Sequence, residues 1–364
     1  MMRWAQRGSQ ERLNHIGRYI AMTPTLQSAI GAVRSHYEAW RTQPEGSCLF
    51  LIGEPRVGKT TALDELVEEL HKQLSFAYAI KKGYTVKDLD AITASTAITI
   101  ATPSGMQRPI IKVLVGSRPT FNELLAHVLL CLGVPVASRA TFGERLQLLT
   151  TQLTGQKVHM VVFDEVQHIS EHRSADGAYR AADVFKVLMK ATRVQIVCAG
   201  LPHTLEIMDA NPQIAGLTHQ IHHVRPFALD LDHASELMRF MRAINQELPF
   251  DEISTMAEPD VALRVGLYTD CCAGRIALLT HAAVGYAIER NRRRIDIKVL
   301  AETLCEQFCV PDAENVFKMC SDALKGYSEL IRHRRQERLS AAEHRQTKSA
   351  RHKRHRSSFG ARGR

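Results

Sequence analysis

The run Cys48-Leu49-Phe50-Leu51-Ile52-Gly53-Glu54-Pro55-Arg56-Val57-Gly58-Lys59-Thr60-Thr61 decides how the chain is read. Five consecutive apolar residues predict a buried strand. Gly53 to Thr60 then fits G-x-x-x-x-G-K-[ST], the phosphate-binding loop pattern. From Thr60 to Leu70 the period turns helical, with Ala62, Leu63, Leu66, Val67 and Leu70 on one face. A loop that opens a helix aims several backbone N–H groups at one point, where the helix dipole also favours an anion. Glycines let the backbone come close to phosphate oxygens. Gly53, Glu54, Pro55, Arg56, Val57, Gly58, Lys59, Thr60 and Thr61 are therefore expected to hold a nucleoside triphosphate. In that reading Lys59 reaches the β and γ phosphates and the Thr60 hydroxyl ligates Mg²⁺.

The matching half lies downstream, where Val161-Val162-Phe163 ends in Asp164-Glu165. Asp164 is expected to serve the magnesium ion through its water shell, and Glu165 to polarise the attacking water as general base. Two adjacent carboxylates favour hydrolysis over passive binding, since a clamp has no use for the second. Gly274-Arg275 opens an apolar helix later in the chain. From there Arg275 is expected to contact the γ-phosphate and report its presence to a small helical domain.

Around this centre the chain alternates. Leu26, Ile30, Val33, Tyr37 and Trp40 share one helical face, with Thr23-Pro24 as the helix start. Strands are expected over Pro109–Val115, Val158–Phe163 and Val194–Ala199, and a β-prone stretch over Ile92–Ile100. Helices are expected over Phe121–Leu132, Phe142–Leu153 and Ala182–Lys190. Strands alternating with helices indicate an α/β fold, a parallel sheet flanked by helices. After about residue 230 only helical periods remain: His233–Ile244, Pro259–Tyr268, Gly274–Glu289 and Ile297–Phe308. The expected division is a helical extension over 1–46, an ATPase core over 47–230, a helical lid with C-terminal helices over 231–330, and a disordered basic tail over 331–364.

Composition bounds the class. The 364 residues are 45% hydrophobic and 23% charged, ordinary for a globular protein. No apolar run approaches the ~18 residues of a membrane span. The N-terminus lacks the apolar stretch of a secretory signal. A cytoplasmic protein without a membrane partner is expected. Eight cysteines occur without C-x-x-C spacing and read as reduced, buried small hydrophobes; a zinc site from Cys305, Cys309 and Cys320 lacks paired ligand spacing. The net charge of +9 is concentrated: residues 331–364 hold twelve Lys or Arg against two Glu. Such a tail cannot bury enough surface to fold alone. It reads either as a salt-sensitive nucleic-acid arm or as an arm for an acidic partner surface. His219, His222 and His223 read as structural, because neighbours on a strand face opposite ways.

With these motifs assembled, the chain resembles the TniB/TnsC family of AAA+ ATPases, regulators of target choice in DNA transposition. The resemblance covers roughly residues 15–290. It rests on Phe163-Asp164-Glu165-Val166-Gln167-His168, on Ile196 to Pro202 with its Gly-x-Pro ending, and on Gly274-Arg275-Ile276. It implies an AAA+ fold with ATP and Mg²⁺ as ligands and homo-oligomeric rings or helical filaments on double-stranded DNA. It also implies a link between a target-selecting protein and the transposase, with hydrolysis dismantling the assembly. Two departures stand out. The usual arginine-finger position, just before the last strand, is expected at His219 and Gln220; Arg225 is the nearest arginine and Arg193 another candidate. Trans-activated hydrolysis is then slow. The run Cys198-Ala199-Gly200-Leu201 lacks the polar side chain usual after the fourth strand.

Lys81, Lys82, Lys87, Arg108 and Lys112 read either as DNA-phosphate contacts or as a solvated face. No nuclease or recombinase constellation appears, so DNA cleavage is not expected. The alternatives to a transposition regulator are a helicase-loader or replication-initiator-like ATPase, and a signalling ATPase that binds no DNA.

Overall fold

A computed structural model describes residues 4–331 except 90, 93, 94, 118, 138, 171–174, 328 and 330. The basic tail expected over 331–364 lies, but for Ile331, outside the described residues. In chain order the elements are α1 (Ser9–Arg18), α2 (Pro24–Glu38), β1 (Cys48–Ile52), α3 (Lys59–Tyr78), β2 (Thr85–Val86), β3 (Ala91–Ile92), β4 (Ser95–Thr102) and β5 (Gly105–Leu114). Then follow α4 (Phe121–Cys131), α5 (Phe142–Gly155), β6 (Met160–Asp164), α6 (Gln167–Ser170), α7 (Ala175–Thr192), β7 (Gln195–Gly200), α8 (Glu206–Ala210), α9 (Pro212–Leu217) and β8 (Thr218–His223). The C-terminal helices are α10 (Glu236–Glu247), α11 (Pro259–Tyr268), α12 (Ala273–Glu289) and α13 (Ile297–Gln307).

The chain forms two compact units, Thr25–Arg225, and Met1–Pro24 together with Pro226–Arg364. The segment 1–46, expected to be one extension, is thus divided between them. Its α1 packs on α12, where a Cβ at Gly17 would lie 3.5 Å from the His281 ring; its α2 belongs with the sheet. The physical cause is the pair of apolar faces: Ile16 joins the helical core, whereas Ile30, Val33 and Tyr37 are buried in the sheet-bearing unit.

The larger unit is built on one sheet of order β2-β4-β5-β6-β7-β1-β8, with β3 paired to β4. From β5 to β8 every neighbour is parallel. β2, β3 and β5 pair antiparallel with β4, which adds a hairpin to one side of the parallel sheet. β1, β6 and β7 are buried along their whole lengths, as strands covered on both faces must be. Phe163 packs against Phe185 of α7 with ring centroids 5.1 Å apart. α4 and α5 open with capping boxes, Thr120 with Glu123 and Thr141 with Glu144, which fix where each helix starts. β8, Thr-His-Gln-Ile-His-His, is an edge strand with mixed exposure, and its polar side chains suit an edge.

The smaller unit is helical. Leu237, Met241, Val265, Ile276, Leu279, Ala283, Leu300 and Leu304 build its core. Ser235 caps α10 by accepting from Met238 N. Arg264, only 7% exposed, donates to Asp260 and to the carbonyls of Val316 and Met319, tying the C-terminal segment to α11. Among the described residues no single helix is long and apolar enough to cross a membrane. Cys48, Cys131, Cys198, Cys271 and Cys272 are buried, but Cys305, Cys309 and Cys320, expected to be buried too, are exposed. Cys305 follows Leu304 on α13 and so faces away from the core.

Candidate active site

The parallel strands end together, and the loops at their C-terminal ends form the site, where open α/β sheets offer a crevice. β1 delivers Gly53, whose N–H donates to Gly200 O at the end of β7 (3.2 Å). A Cβ at Gly53 would lie 2.2 Å from Val224 O and 3.0 Å from Val57 Cγ2, so only glycine fits here. Glu54, Pro55 and Arg56 are exposed, whereas Val57 is buried and anchors the loop. Gly58 caps α3 with φ +105°, a left-handed conformation that suits glycine. Lys59 turns back over the loop, its Nζ donating to Gly53 O and Glu54 O, both at 2.9 Å. Thr61, in the first turn of α3, is partly buried.

Two segments far apart in sequence meet at the start of α3. The Thr60 hydroxyl donates to Asp164 Oδ2 at 2.9 Å. Asp164 is 1% exposed, at the tip of β6. Burial pushes its carboxyl above the usual range; Lys112 and the Thr60 hydroxyl pull it back, and Glu165 raises it further. Glu165 sits just beyond with φ +60°, and its N–H donates to Asp164 Oδ1 at 3.0 Å. A non-glycine residue in the left-handed region is strained, and such residues gather at functional sites.

Two residues in this cluster were not assigned to it by sequence. Lys112 of β5 is neither a DNA contact nor part of a solvated face, the two readings its charge allows. It is instead 6% exposed, paired with Asp64 of α3, and 3.9 Å from Asp164 Oδ2. The signal was available: a lone lysine inside Ile110-Ile111-Lys112-Val113-Leu114 must find an anion, because an isolated buried charge is too costly. Gln167, 3% exposed, donates from Nε2 to Glu165 Oε2 and accepts from Leu201 N (3.2 Å).

Arg108 likewise departs from the DNA-contact reading. It is half-buried and donates to Leu132 O and Gln156 Oε1, fastening α4 and α5 to β5. Lys81 lies over the Tyr84 ring at 4.1 Å; Lys82 and Lys87 are exposed.

The arginine candidates are placed as follows. His219 and Gln220 lie inside β8 and not ahead of it, and the preceding helix Pro212–Leu217 contains no arginine. Arg225 is exposed just after β8, next to the Val224 whose carbonyl abuts Gly53. Arg193 precedes β7, at the opposite end of the parallel sheet, where its guanidinium donates to Gln43 O (2.6 Å). In the helical unit Arg275 of α12 pairs with Asp270 at 2.5 Å. His219 stacks on buried His36, and among the described residues no cluster of three His, Cys, Asp or Glu is arranged to hold a metal.

Residues 43–208 match the protein family described as AAA domain. No match is found among curated proteins. Among solved structures, the Aeropyrum pernix ORC2 protein in ADPNP–ADP complexes is similar over 80% of this chain and 70% of that one, with TM-score 0.53 and 15% identity. The Aeropyrum pernix ORC1 protein in complex with DNA is similar over 79% and 66%, with TM-score 0.52 and 16% identity. Cdc6p from Pyrobaculum aerophilum is similar over 86% and 82%, with TM-score 0.52 and 12% identity. At these identities the likeness is one of fold. The core of this chain is an AAA+ ATPase domain, and its ligand is a nucleotide.

Proposed function

We propose that this AAA+ ATPase is a nucleotide-controlled regulator of DNA transposition. It assembles as a homo-oligomer on duplex DNA, links a target-selecting protein to the transposase, and leaves the DNA after slow ATP hydrolysis. The observation that carries the hydrolytic part is the Thr60–Asp164 hydrogen bond of 2.9 Å, which joins the phosphate-loop helix to the acidic tip of β6. In this reading the loop Gly53–Thr61 cradles the triphosphate and Lys59 exchanges its loop carbonyls for phosphate oxygens. Thr60 and Asp164 offer hard oxygen donors that suit Mg²⁺. When bound, that ion neutralises charge on the phosphates. Glu165 accepts a proton from water as the water attacks the γ-phosphorus and the bond to the departing ADP oxygen breaks. Arg275 reports the γ-phosphate, and Arg225 serves as finger toward a neighbouring subunit.

The transposition role is supported by Phe163–His168, Ile196–Pro202 and Gly274–Ile276 in that order. A second reading, a replication-initiator-like ATPase, is supported by the fold shared with the ORC and Cdc6p structures, one of them solved with DNA. Electron microscopy of the full chain with a non-hydrolysable ATP analogue and duplex DNA tests both. Rings or filaments that need both ligands are expected. Lys59→Ala abolishes them, and Glu165→Gln traps them in ATP. Recruitment of a transposase to these assemblies supports the first reading; a stable complex with a replicative helicase supports the second. Oligomers indifferent to nucleotide and DNA sink both.

A further inference from the structure

The run Cys198-Ala199-Gly200-Leu201 at the end of β7 brings no polar side chain to the site. The structure puts one there from another element. Gln167, in the first turn after β6, spans from Glu165 to this run. Its carbonyl accepts from Leu201 N at 3.2 Å, and its amide nitrogen donates to Glu165 Oε2. The fit is tight on the far side. A Cβ at residue 200 would stand 2.6 Å from Gln167 Oε1 and 2.5 Å from Thr204 Oγ1, so Gly200 leaves the space that the amide fills.

The two ends of an amide differ chemically, one accepting and one donating. With Oε1 held by a backbone N–H, the NH₂ end is fixed toward Glu165. We propose that Gln167 is a positioning residue: it takes the place of the missing polar group after β7 and aims the Glu165 carboxylate at the attacking water. This rests on Glu165 being the base under the function proposed above. One carboxylate oxygen is engaged by the amide, which sets the direction in which the other faces. The left-handed φ of +60° at Glu165 restricts the backbone, and the amide restricts the side chain. Any shift of the loop at Gly200–Leu201 is thereby passed to the base.

The test is a double-mutant cycle on the full chain, read by single-turnover ATP hydrolysis and by binding of a fluorescent ATP analogue. Gln167→Met keeps length and volume beside Gly200 but removes both hydrogen bonds; Gln167→Ala is the second variant. Both are expected to lower the hydrolysis rate about 10- to 100-fold, with analogue affinity within about threefold of the parent. Glu165→Gln alone is expected to lower the rate at least as far. In that background Gln167→Met then adds no further loss, because its effect acts through Glu165. A full additional loss there, or a Gln167→Met rate within about twofold of the parent, overturns the proposal. A parental rate for Glu165→Gln overturns the assignment of the base itself and is distinguishable from either.

Discussion

Removing the cation beside Asp164 should destabilise the nucleotide-free protein. Lys112 and Asp164 are 6% and 1% exposed, 3.9 Å apart, so solvent screens them little. At an effective dielectric of about 20, two unit charges at that distance attract by about 4 kcal/mol. Lys112→Met removes the attraction but also relieves the desolvation of the ammonium, an offset of several kcal/mol in the parent. What remains is an uncompensated carboxylate, and deleting one partner of a buried pair costs about 3–5 kcal/mol. Asp164 can retreat by taking a proton, and its Thr60 hydrogen bond persists, so we expect about 3 kcal/mol at pH 8. Asp64 adds little, since its side chain is 53% exposed. For the unit Thr25–Arg225, about 3 kcal/mol corresponds to roughly 6–12 °C in melting temperature. The assay is calorimetry without nucleotide or magnesium, on the parent, Lys112→Met, Asp164→Asn and the double variant. The double variant should melt within about 3 °C of Asp164→Asn, since methionine then faces a neutral amide. A Lys112→Met protein that melts with the parent, or loses equally in the Asp164→Asn background, refutes the reasoning.

Gly53→Ala should weaken nucleotide binding at least about tenfold, because its Cβ would meet Val224 O at 2.2 Å and the loop must shift; titration with a fluorescent ATP analogue checks this, and affinity within about twofold of the parent contradicts it. Acid should destabilise the fold through His36, which is fully buried and whose pKa burial lowers from 6.5 to about 4. The unfolded chain takes up the proton near pH 6.5 and the folded chain only near 4. Stability is therefore intact above 6.5 and falls by up to about 3 kcal/mol as pH drops toward 4; His36→Gln should flatten this slope in denaturation midpoints measured across pH. Arg275→Ala removes only a partly exposed ion pair with Asp270, worth about 0–1 kcal/mol. It should leave melting nearly unchanged yet slow hydrolysis about tenfold if the guanidinium serves the γ-phosphate, which paired melting and turnover measurements decide.

How much could be read in advance depended on how local the signal was. The strand–loop–helix from Cys48 to Leu70 was legible because apolar run, glycine spacing and helical period follow one another without a break, although α3 continues to Tyr78. The alternation of β6, α7 and β7 was legible for the same reason. β8 is legible only in part: His219, His222 and His223 read as strand residues, but Thr-His-Gln-Ile-His-His has neither an apolar run nor apolar–polar alternation to mark where the strand starts, and pairing along only one side relaxes the demand for burial. Misplacing its start put His219 and Gln220 ahead of the strand they belong to. Charge alone groups Arg108 and Lys112 with the exposed Lys82 and Lys87, and only burial separates them. Gln167 stood in the quoted motif, but its partner Leu201 N is a backbone group 34 residues on, and side-chain pattern carries no trace of such a bond.

The polar groups at the strand ends are mostly bound to one another. Lys59 holds Gly53 and Glu54 carbonyls, Thr60 holds Asp164, Gln167 holds Glu165, and Lys112 holds Asp64. A nucleotide entering this site exchanges these side-chain hydrogen bonds for others, and each exchange is worth only about 1 kcal/mol net. Affinity must then come chiefly from charge, from Lys59 and from the backbone N–H groups and dipole at the start of α3. The same exchange would release the Thr60–Asp164 bond, which fastens the start of α3 to the tip of β6. Under the function proposed above, binding would loosen the junction of α3 with β6, and loss of the γ-phosphate would let that bond reform. Thr60 would then have two alternative partners, the Asp164 carboxylate or the bound ion, which is what a nucleotide switch requires and a permanently open catalytic cleft does not.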